Sequence, residues 1–159
     1  MNPLFGPSSR LLAIVKRLDV AALLVVRLTV GVLFVSTGWG KVHNLASVIE
    51  YFGELHIPAP GFNAILASWT ELVAGSLLVV GLASRVAALP LMVTMTVAIA
   101  TALADKIHGL PDLFGQVEWT YLVLLFVVFV FGPGKASVDA FIRSRLPAGS
   151  PWLLDASAR

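Results

Sequence analysis

The feature that most constrains this chain is a run of 19 residues, 86–104, that contains no charged side chain. A helix of this length extends about 28 Å at 1.5 Å per residue, close to the ~30 Å hydrocarbon thickness of a bilayer. It has no polar face to present to water, as the surface helix of a soluble protein does. The run therefore predicts a membrane-spanning helix and disfavours a water-soluble helical bundle.

Three further apolar runs raise the number of predicted spans to four. They cover residues 20–40, 62–84 and 117–132, and each contains a single Arg or Glu. Only 13% of all residues are charged, against about a quarter in soluble proteins. The predicted fold is all-α: one domain over residues 1–159, built as a polytopic membrane four-helix bundle.

The distribution of Lys and Arg predicts how the bundle is oriented. Eight of these residues lie in segments 1–19 and 133–159 and at Arg85, whereas the loops on the other side hold only Lys41 and Lys106. Because basic residues favour the cytoplasmic side, both termini are predicted to be cytoplasmic, with segments 1–19 and 133–159 as basic tails. The first span is predicted to remain in the protein, since its internal arginine argues against a cleavable signal peptide.

Three stretches outside the spans have apolar residues at helical spacing, namely 10–18, 45–55 and 137–146. In the first and last, basic residues alternate with the apolar ones, which suits helices that lie on anionic lipid. The middle stretch is predicted to cross the outer mouth of the bundle and to end at the proline-containing turn 58–61. These stretches are therefore predicted to be short amphipathic interfacial helices.

Two predicted spans carry a charged side chain well inside the apolar run, which costs about 2.5–3.5 kcal/mol on insertion scales. Arg27 and Glu71 each begin a stripe of residues spaced by three or four, so each stripe occupies one helix face. Small residues on both stripes allow close helix approach, and the two faces are predicted to pack together. The stripes comprise Arg27, Gly31, Phe34, Gly38 and Lys41, and Glu71, Gly75, Leu78, Leu82 and Arg85.

The predicted partner of Arg27 is Glu71, because their depths, counted from the span edges, differ by roughly 8 Å. Lys41 and Glu118 fall at the outer rim and are predicted to form a second pair, while Arg85 extends to the inner headgroups. Two interpretations of the Arg27–Glu71 pair stay open. It either fixes the register of the helices or lines a pocket for the head group of a lipid-soluble molecule.

Several kinds of chemistry are disfavoured by composition and spacing. The chain has no cysteine, which excludes thiol nucleophiles, disulfide exchange and Fe–S ligation by its own side chains. A net charge of +2 without a concentrated basic face disfavours nucleic-acid binding. The three histidines, His43, His56 and His108, lack the spacing of a metal site, so no metal is expected.

The charged stripes belong to a longer pattern that resembles the DoxX family of small bacterial membrane proteins. The resemblance covers roughly residues 23–142 and includes the four spans in order. It rests on the order and spacing of several short motifs: Arg27-Leu28-x-x-Gly31-x-x-Phe34-x-x-x-Gly38-x-x-Lys41, Phe52-Gly53, Pro58, Glu71-Leu72-x-x-Gly75, Gly81-Leu82-x-x-Arg85 and Gly132-Pro133-Gly134-Lys135-x-Ser137-x-Asp139.

This resemblance implies a function linked to quinones in the bacterial cytoplasmic membrane. The family is similar to a subunit of thiosulfate:quinone oxidoreductase, and other members are implied in membrane-bound oxidoreductase assemblies that answer thiol and superoxide stress. It implies a quinone cofactor, a redox enzyme partner and five candidate cofactor-binding residues, while catalytic residues stay unassigned. Those five residues are Arg27, Lys41, Glu71, Arg85 and Glu118.

Three functions remain open from the sequence. The chain is a quinone-facing redox subunit, a non-catalytic scaffold that docks soluble redox or stress enzymes, or a small transporter or lipid-handling protein with Glu71 as a proton-coupled site. The third is disfavoured because no Gly/Pro pair breaks a span midway. Whether the chain is itself an enzyme, its substrate, its electron donor and its homo-oligomeric state are left open.

Overall fold

A computed structural model of the chain describes the backbone of residues 6–145. It describes the side chains of residue 18 and of residues 20–145. The described residues are helical with no strand, so the all-α class is confirmed. The elements are α1 (Gly6–His43), α2 (Leu45–Glu54), α3 (Pro60–Val80), α4 (Ser84–Ala100), a 3₁₀ turn (Ala104–Lys106), α5 (Leu110–Phe114), α6 (Val117–Phe131) and α7 (Val138–Arg145).

Two helical segments are long and apolar enough to cross a membrane. They are Val20–His43 within α1, with 24 residues, and α3, with 21. Helices α4 and α6 are apolar but shorter, with 17 and 15 residues. Length therefore supports two of the four predicted spans. The predicted span 86–104 also runs past the end of α4 at Ala100, because the residues that follow are still apolar and carry no helix-ending signal.

Close packing of α1 on α3 forms the centre of the bundle, and it confirms that the two predicted stripes face each other. Gly31, Gly38 and Gly75 lie in this interface with no room for a side chain. A Cβ atom on Gly38 would lie 2.8 Å from Cα of Leu72, and one on Gly75 would lie 2.9 Å from the backbone nitrogen of Val35. Glycine at these positions therefore lets the two backbones touch.

Helix α4 packs on α6, and this pair closes the core against α1 and α3. The core side chains are apolar and fully buried, and they include Phe34, Leu78, Leu91 and Leu125. Large apolar side chains are also exposed on the outer surface of all four long helices. Among these are Val25, Val32, Leu66, Val73, Val86, Val93, Val123 and Phe126. Exposed apolar side chains on all four helices suit contact with lipid.

The short elements confirm that two of the three stretches predicted as interfacial helices are helical. Helices α2 and α7 form where stretches 45–55 and 137–146 predicted them. The turn between α2 and α3 is tight, with Ala59 in the left-handed region and the side-chain amide of Asn63 donating from Nδ2 to the carbonyl of Pro58 at 2.6 Å. The prediction of a separate helix at 10–18 is wrong, because α1 runs unbroken from Gly6 through the first span.

Candidate functional site

Arg27 lies buried on the first stripe, and its partners are backbone carbonyls rather than a carboxylate. Its Nη1 donates to the carbonyl of Pro133 at 2.7 Å, and its Nη2 donates to the carbonyl of Ala136 at 2.9 Å. Both acceptors belong to the segment that follows α6. The predicted Arg27–Glu71 pair is therefore wrong, since each residue is bonded elsewhere.

The register of α1 against α3 explains this correction. The guanidinium of Arg27 lies against Gly81, where an added Cβ would be 2.8 Å from Cζ of the arginine. Gly81 is ten residues beyond Glu71, which is about 15 Å along a helix axis. The estimate of ~8 Å assumed that both spans start at the membrane edge, whereas glycine packing sets the register instead.

Arg27 and Arg85 together hold the end of the bundle at which α3 turns into α4. Arg85 donates from Nη2 to the carbonyl of Val130 at 2.8 Å. The backbone N–H of Asp139 donates to the carbonyl of Gly81 at 3.0 Å, and its Oδ1 accepts from the N–H of Ala83 at 2.9 Å. We call this set of contacts the clasp. It ties α6, α7 and the segment between them to α1 and to the α3–α4 turn.

A cavity of about 910 Å³ lies at the other end of α1 and α3. Helices α1, α2, α3, α4 and α6 all contribute to its wall. Three of the five candidate residues line it, namely Lys41, Glu71 and Glu118, whereas Arg27 and Arg85 do not. The structure therefore divides the candidate residues between a cavity and the clasp.

Glu71 is the most deeply buried polar group of the cavity wall. Its Oε1 accepts a hydrogen bond from Nζ of Lys41 at 2.5 Å, and the two side chains are 3% and 34% exposed respectively. The predicted Lys41–Glu118 pair is thus wrong. Gly38, one turn before Lys41, lets the α3 backbone come close enough at Glu71 for the lysine to reach it.

The second carboxylate oxygen of Glu71 is buried and lacks a hydrogen-bond partner within residues 6–145. A buried charged oxygen normally has its full complement of partners, because leaving it unpaired costs about 1–3 kcal/mol or more. At the cavity wall, this atom is an acceptor that is available to a hydrogen-bond donor in the cavity.

Sequence reasoning missed other polar members of the wall, notably Tyr121, His56 and Asn63. Tyr121 follows Glu118 by three residues on α6, so both lie on one helix face, and this spacing is a usable signal. Tyr121 also packs edge-on against Phe34, with ring centroids 6.1 Å apart. His56 comes from the turn after α2, whose fold over the cavity has no local sequence signal.

The remaining wall is mainly carbon, with side chains such as Leu33, Phe52, Ile57, Leu66, Val93, Met95 and Val97. A pocket with a few convergent polar groups in an apolar wall suits an apolar molecule that carries hydrogen-bonding atoms at one end. The ion pair can donate through Lys41 and accept through Glu71. The arrangement therefore fits an amphiphilic ligand better than a fully polar one.

Comparison with known proteins identifies the family to which the chain belongs. A family model described as DoxX matches residues 22–104, a range that contains four of the five candidate residues and excludes Glu118. The protein named "Uncharacterized membrane protein Rv3486" of Mycobacterium tuberculosis is 31% identical over 134 residues, covering 77% of this chain and 82% of that protein. No solved structure matches the chain.

Two further relatives carry informative names. The protein named "Putative oxidoreductase CatD" of Bacillus subtilis is 30% identical over 121 residues, covering 75% of this chain and 85% of that protein. The inner membrane protein YqjF of Escherichia coli is 26% identical over 133 residues, covering 82% of this chain and 98% of that protein. With the family match over about half of its residues and membrane proteins among its relatives, this chain belongs to the DoxX family of membrane proteins.

Proposed function

We propose that this chain is the quinone-binding membrane subunit of an oxidoreductase system and that the quinone head group occupies the cavity beside Lys41 and Glu71. The observation that carries the proposal is the buried Glu71 carboxylate, which is paired on one oxygen and unpartnered on the other at the wall of an apolar cavity. The name of CatD supports oxidoreductase chemistry by analogy.

The chemistry of a quinone fits these residues. A quinone is a flat apolar ring with two carbonyl oxygens that accept hydrogen bonds, and it takes up two electrons and two protons to become a quinol. The ammonium of Lys41 can donate to one carbonyl oxygen of the quinone, and the free carboxylate oxygen of Glu71 can accept from a hydroxyl of the quinol. Glu118 and Tyr121 supply further hydrogen-bonding groups on α6.

The electrons come from a partner enzyme in this proposal. The chain has no cysteine and therefore no thiol or Fe–S chemistry of its own. Its own contribution is to bind the quinone, orient its carbonyl oxygens and hold protons near them. A partner oxidoreductase at the membrane surface supplies the electron pair.

The same proposal places four helices across the bacterial cytoplasmic membrane, with both termini cytoplasmic. Helices α4 and α6 extend about 25 and 22 Å at 1.5 Å per residue, which is short for a ~30 Å hydrocarbon layer. Their exposed apolar side chains nevertheless match those of α1 and α3. Short helices of this kind are accommodated by local bilayer thinning and by packing on longer neighbours.

The test is to purify the protein from its membrane, extract bound lipids and identify quinones by mass spectrometry. The wild-type protein is expected to carry quinone in a fixed ratio. Lys41→Met and Glu71→Gln are expected to lower quinone affinity about tenfold or more, the effect of losing a hydrogen bond to a charged group.

Two matched variants control for the loss of charge alone. Lys106→Met and Glu50→Gln change exposed residues that lie outside the cavity wall and should leave the quinone content unchanged. The proposal fails if the wild-type protein carries no quinone and binds none when it is added. It also fails if the cavity variants and the control variants retain the same quinone content.

A further inference from the structure

We infer that the cavity opens sideways into the bilayer between α3 and α4, so that its ligand carries a long apolar tail and enters from the membrane core. This inference rests on the proposed function for the identity of the head group. It adds the route of entry and the chemical class of the rest of the ligand.

Five large apolar or aromatic side chains of the cavity wall are exposed, and three of them belong to the neighbouring helices α3 and α4; the other two are Tyr51 of α2 and Val117 of α6. Leu66 of α3 and Val93 and Val97 of α4 all line the cavity. They are also 52%, 62% and 43% exposed as whole residues. A side chain that contributes to both an internal wall and the outer surface lies at the edge of an opening. The three residues therefore border a portal between these two helices.

Helix packing explains why the gap lies between α3 and α4. The glycine contacts draw α3 toward α1, and α4 packs mainly on α6. The clasp joins α3 and α4 at their shared turn, and buried Ala74 and Ala87 pack close to that end. Farther from the turn, the α3 side chains that reach the cavity include the small Ala67 and Thr70, which do not fill the space.

The portal surface is apolar, although it includes hydroxyl groups. The hydroxyl of Thr94 donates to the carbonyl of Leu91 at 2.9 Å, and the hydroxyl of Thr101 donates to the carbonyl of Val97 at 2.8 Å. These groups are satisfied within α4, so they need nothing from a ligand. The unpartnered oxygen of Glu71 lies farther inside. Polarity therefore rises from the portal inward, as a molecule with a polar head and an apolar tail requires.

The portal also lies at hydrocarbon depth. Leu66 is about 9 Å along α3 from Pro60, and Val93 is about 14 Å along α4 from Ser84. The exposed side chains on the same helices include the apolar Trp69, Val73 and Leu89, and the hydroxyl of the exposed Thr96 is satisfied by the carbonyl of Met92. A tail that leaves the cavity between Leu66 and Val93 thus continues into lipid and not into water.

The cysteine-free sequence allows a reversible test on the folded protein. Leu66→Cys is modified with a bulky methanethiosulfonate reagent, and the binding rate is measured for two quinones of identical head group, one with a long isoprenoid tail and one without a tail. Modification should slow binding of the tailed quinone about tenfold or more relative to the unmodified variant. A thiol reductant, removed before the measurement, should restore the rate.

Val73→Cys is the matched control, because Val73 is a similarly exposed apolar residue of α3 that does not line the cavity. Its modification should leave both rates unchanged. Equal rates for the tailed quinone at modified Leu66→Cys and modified Val73→Cys would overturn the portal while leaving quinone binding intact. If the unmodified protein binds neither quinone, the proposed function itself is wrong, and the portal inference is overturned with it.

Discussion

Lys41 and Glu71 form an ion pair of 2.5 Å that joins α1 to α3 at the wall of the cavity. The two partners are unequally buried, since the lysine side chain is one-third exposed and the carboxylate is almost fully enclosed. The lysine can therefore turn to solvent or headgroups if it loses its partner, whereas the glutamate cannot. This asymmetry gives the two residues different roles in stability.

We predict that Lys41→Met destabilises the protein more than Glu71→Gln. Without the lysine, the buried carboxylate is left unpaired, and such a loss costs about 3–5 kcal/mol. Glu71→Gln leaves only a partly exposed ammonium and should cost less. The double variant should recover part of the loss, which thermal unfolding in detergent measures as a coupling energy. Additive losses would show that the two side chains are energetically independent.

We predict that Arg27→Lys weakens the clasp without removing the ligand. Lysine has no planar fork, so it cannot donate to the carbonyls of Pro133 and Ala136 together. The expected loss is about 1–3 kcal/mol in the free energy of unfolding, with bound quinone per folded protein unchanged. Arg143→Lys, at an exposed position of α7, is the control for the change of side chain. Loss of quinone at unchanged stability would instead place Arg27 in the ligand site.

We predict that all four long helices cross the membrane. Reporters of periplasmic and cytoplasmic location, fused after Gly61 and after Gly109, should report the outer side. Fusions after Ala83 and after Arg159 should report the inner side, because Lys and Arg are concentrated in those segments. If α4 and α6 do not cross, the fusion after Gly109 will report the same side as the fusion after Ala83. Gly61 and Arg159 fusions on one side would contradict the orientation altogether.

How far the sequence predicts this molecule is clear from the two stripes. Spacing by three and four residues correctly placed Arg27 and Glu71 on faces that meet, because helix periodicity is a local property. The spacing did not identify the groups to which Arg27 and Glu71 form hydrogen bonds. The register of α1 against α3 depends on where glycines let two backbones touch, and an error of a few residues moves a charge by one or two helix turns.

The candidate site shows the same division between local and long-range information. Lys41, Glu71 and Glu118 were recognisable because each is a charge at or within an apolar run, and all three line the cavity. The carbonyl acceptors of Arg27 were not recognisable, since Pro133 is 106 residues away and a backbone oxygen has no sequence signature. His56, in the turn after α2, likewise has no sequence feature that indicates its position at the cavity wall.

We predict that Gly38→Ala disrupts the bundle, whereas Gly40→Ala, two residues along the same helix, does not. A Cβ on Gly38 would lie 2.8 Å from Cα of Leu72, which is backbone and cannot move without separating α1 from α3, whereas one on Gly40 meets nothing within 4 Å. Overpacking of this kind costs about 1–3 kcal/mol. Alanine at Gly40 should be neutral or stabilise the helix by up to about 1 kcal/mol.

Separation of α1 from α3 would also pull Lys41 away from Glu71, so Gly38→Ala should release quinone as well. Thermal unfolding and lipid extraction on the two variants measure both effects, and equal behaviour of the two alanines would contradict the close packing of α1 on α3.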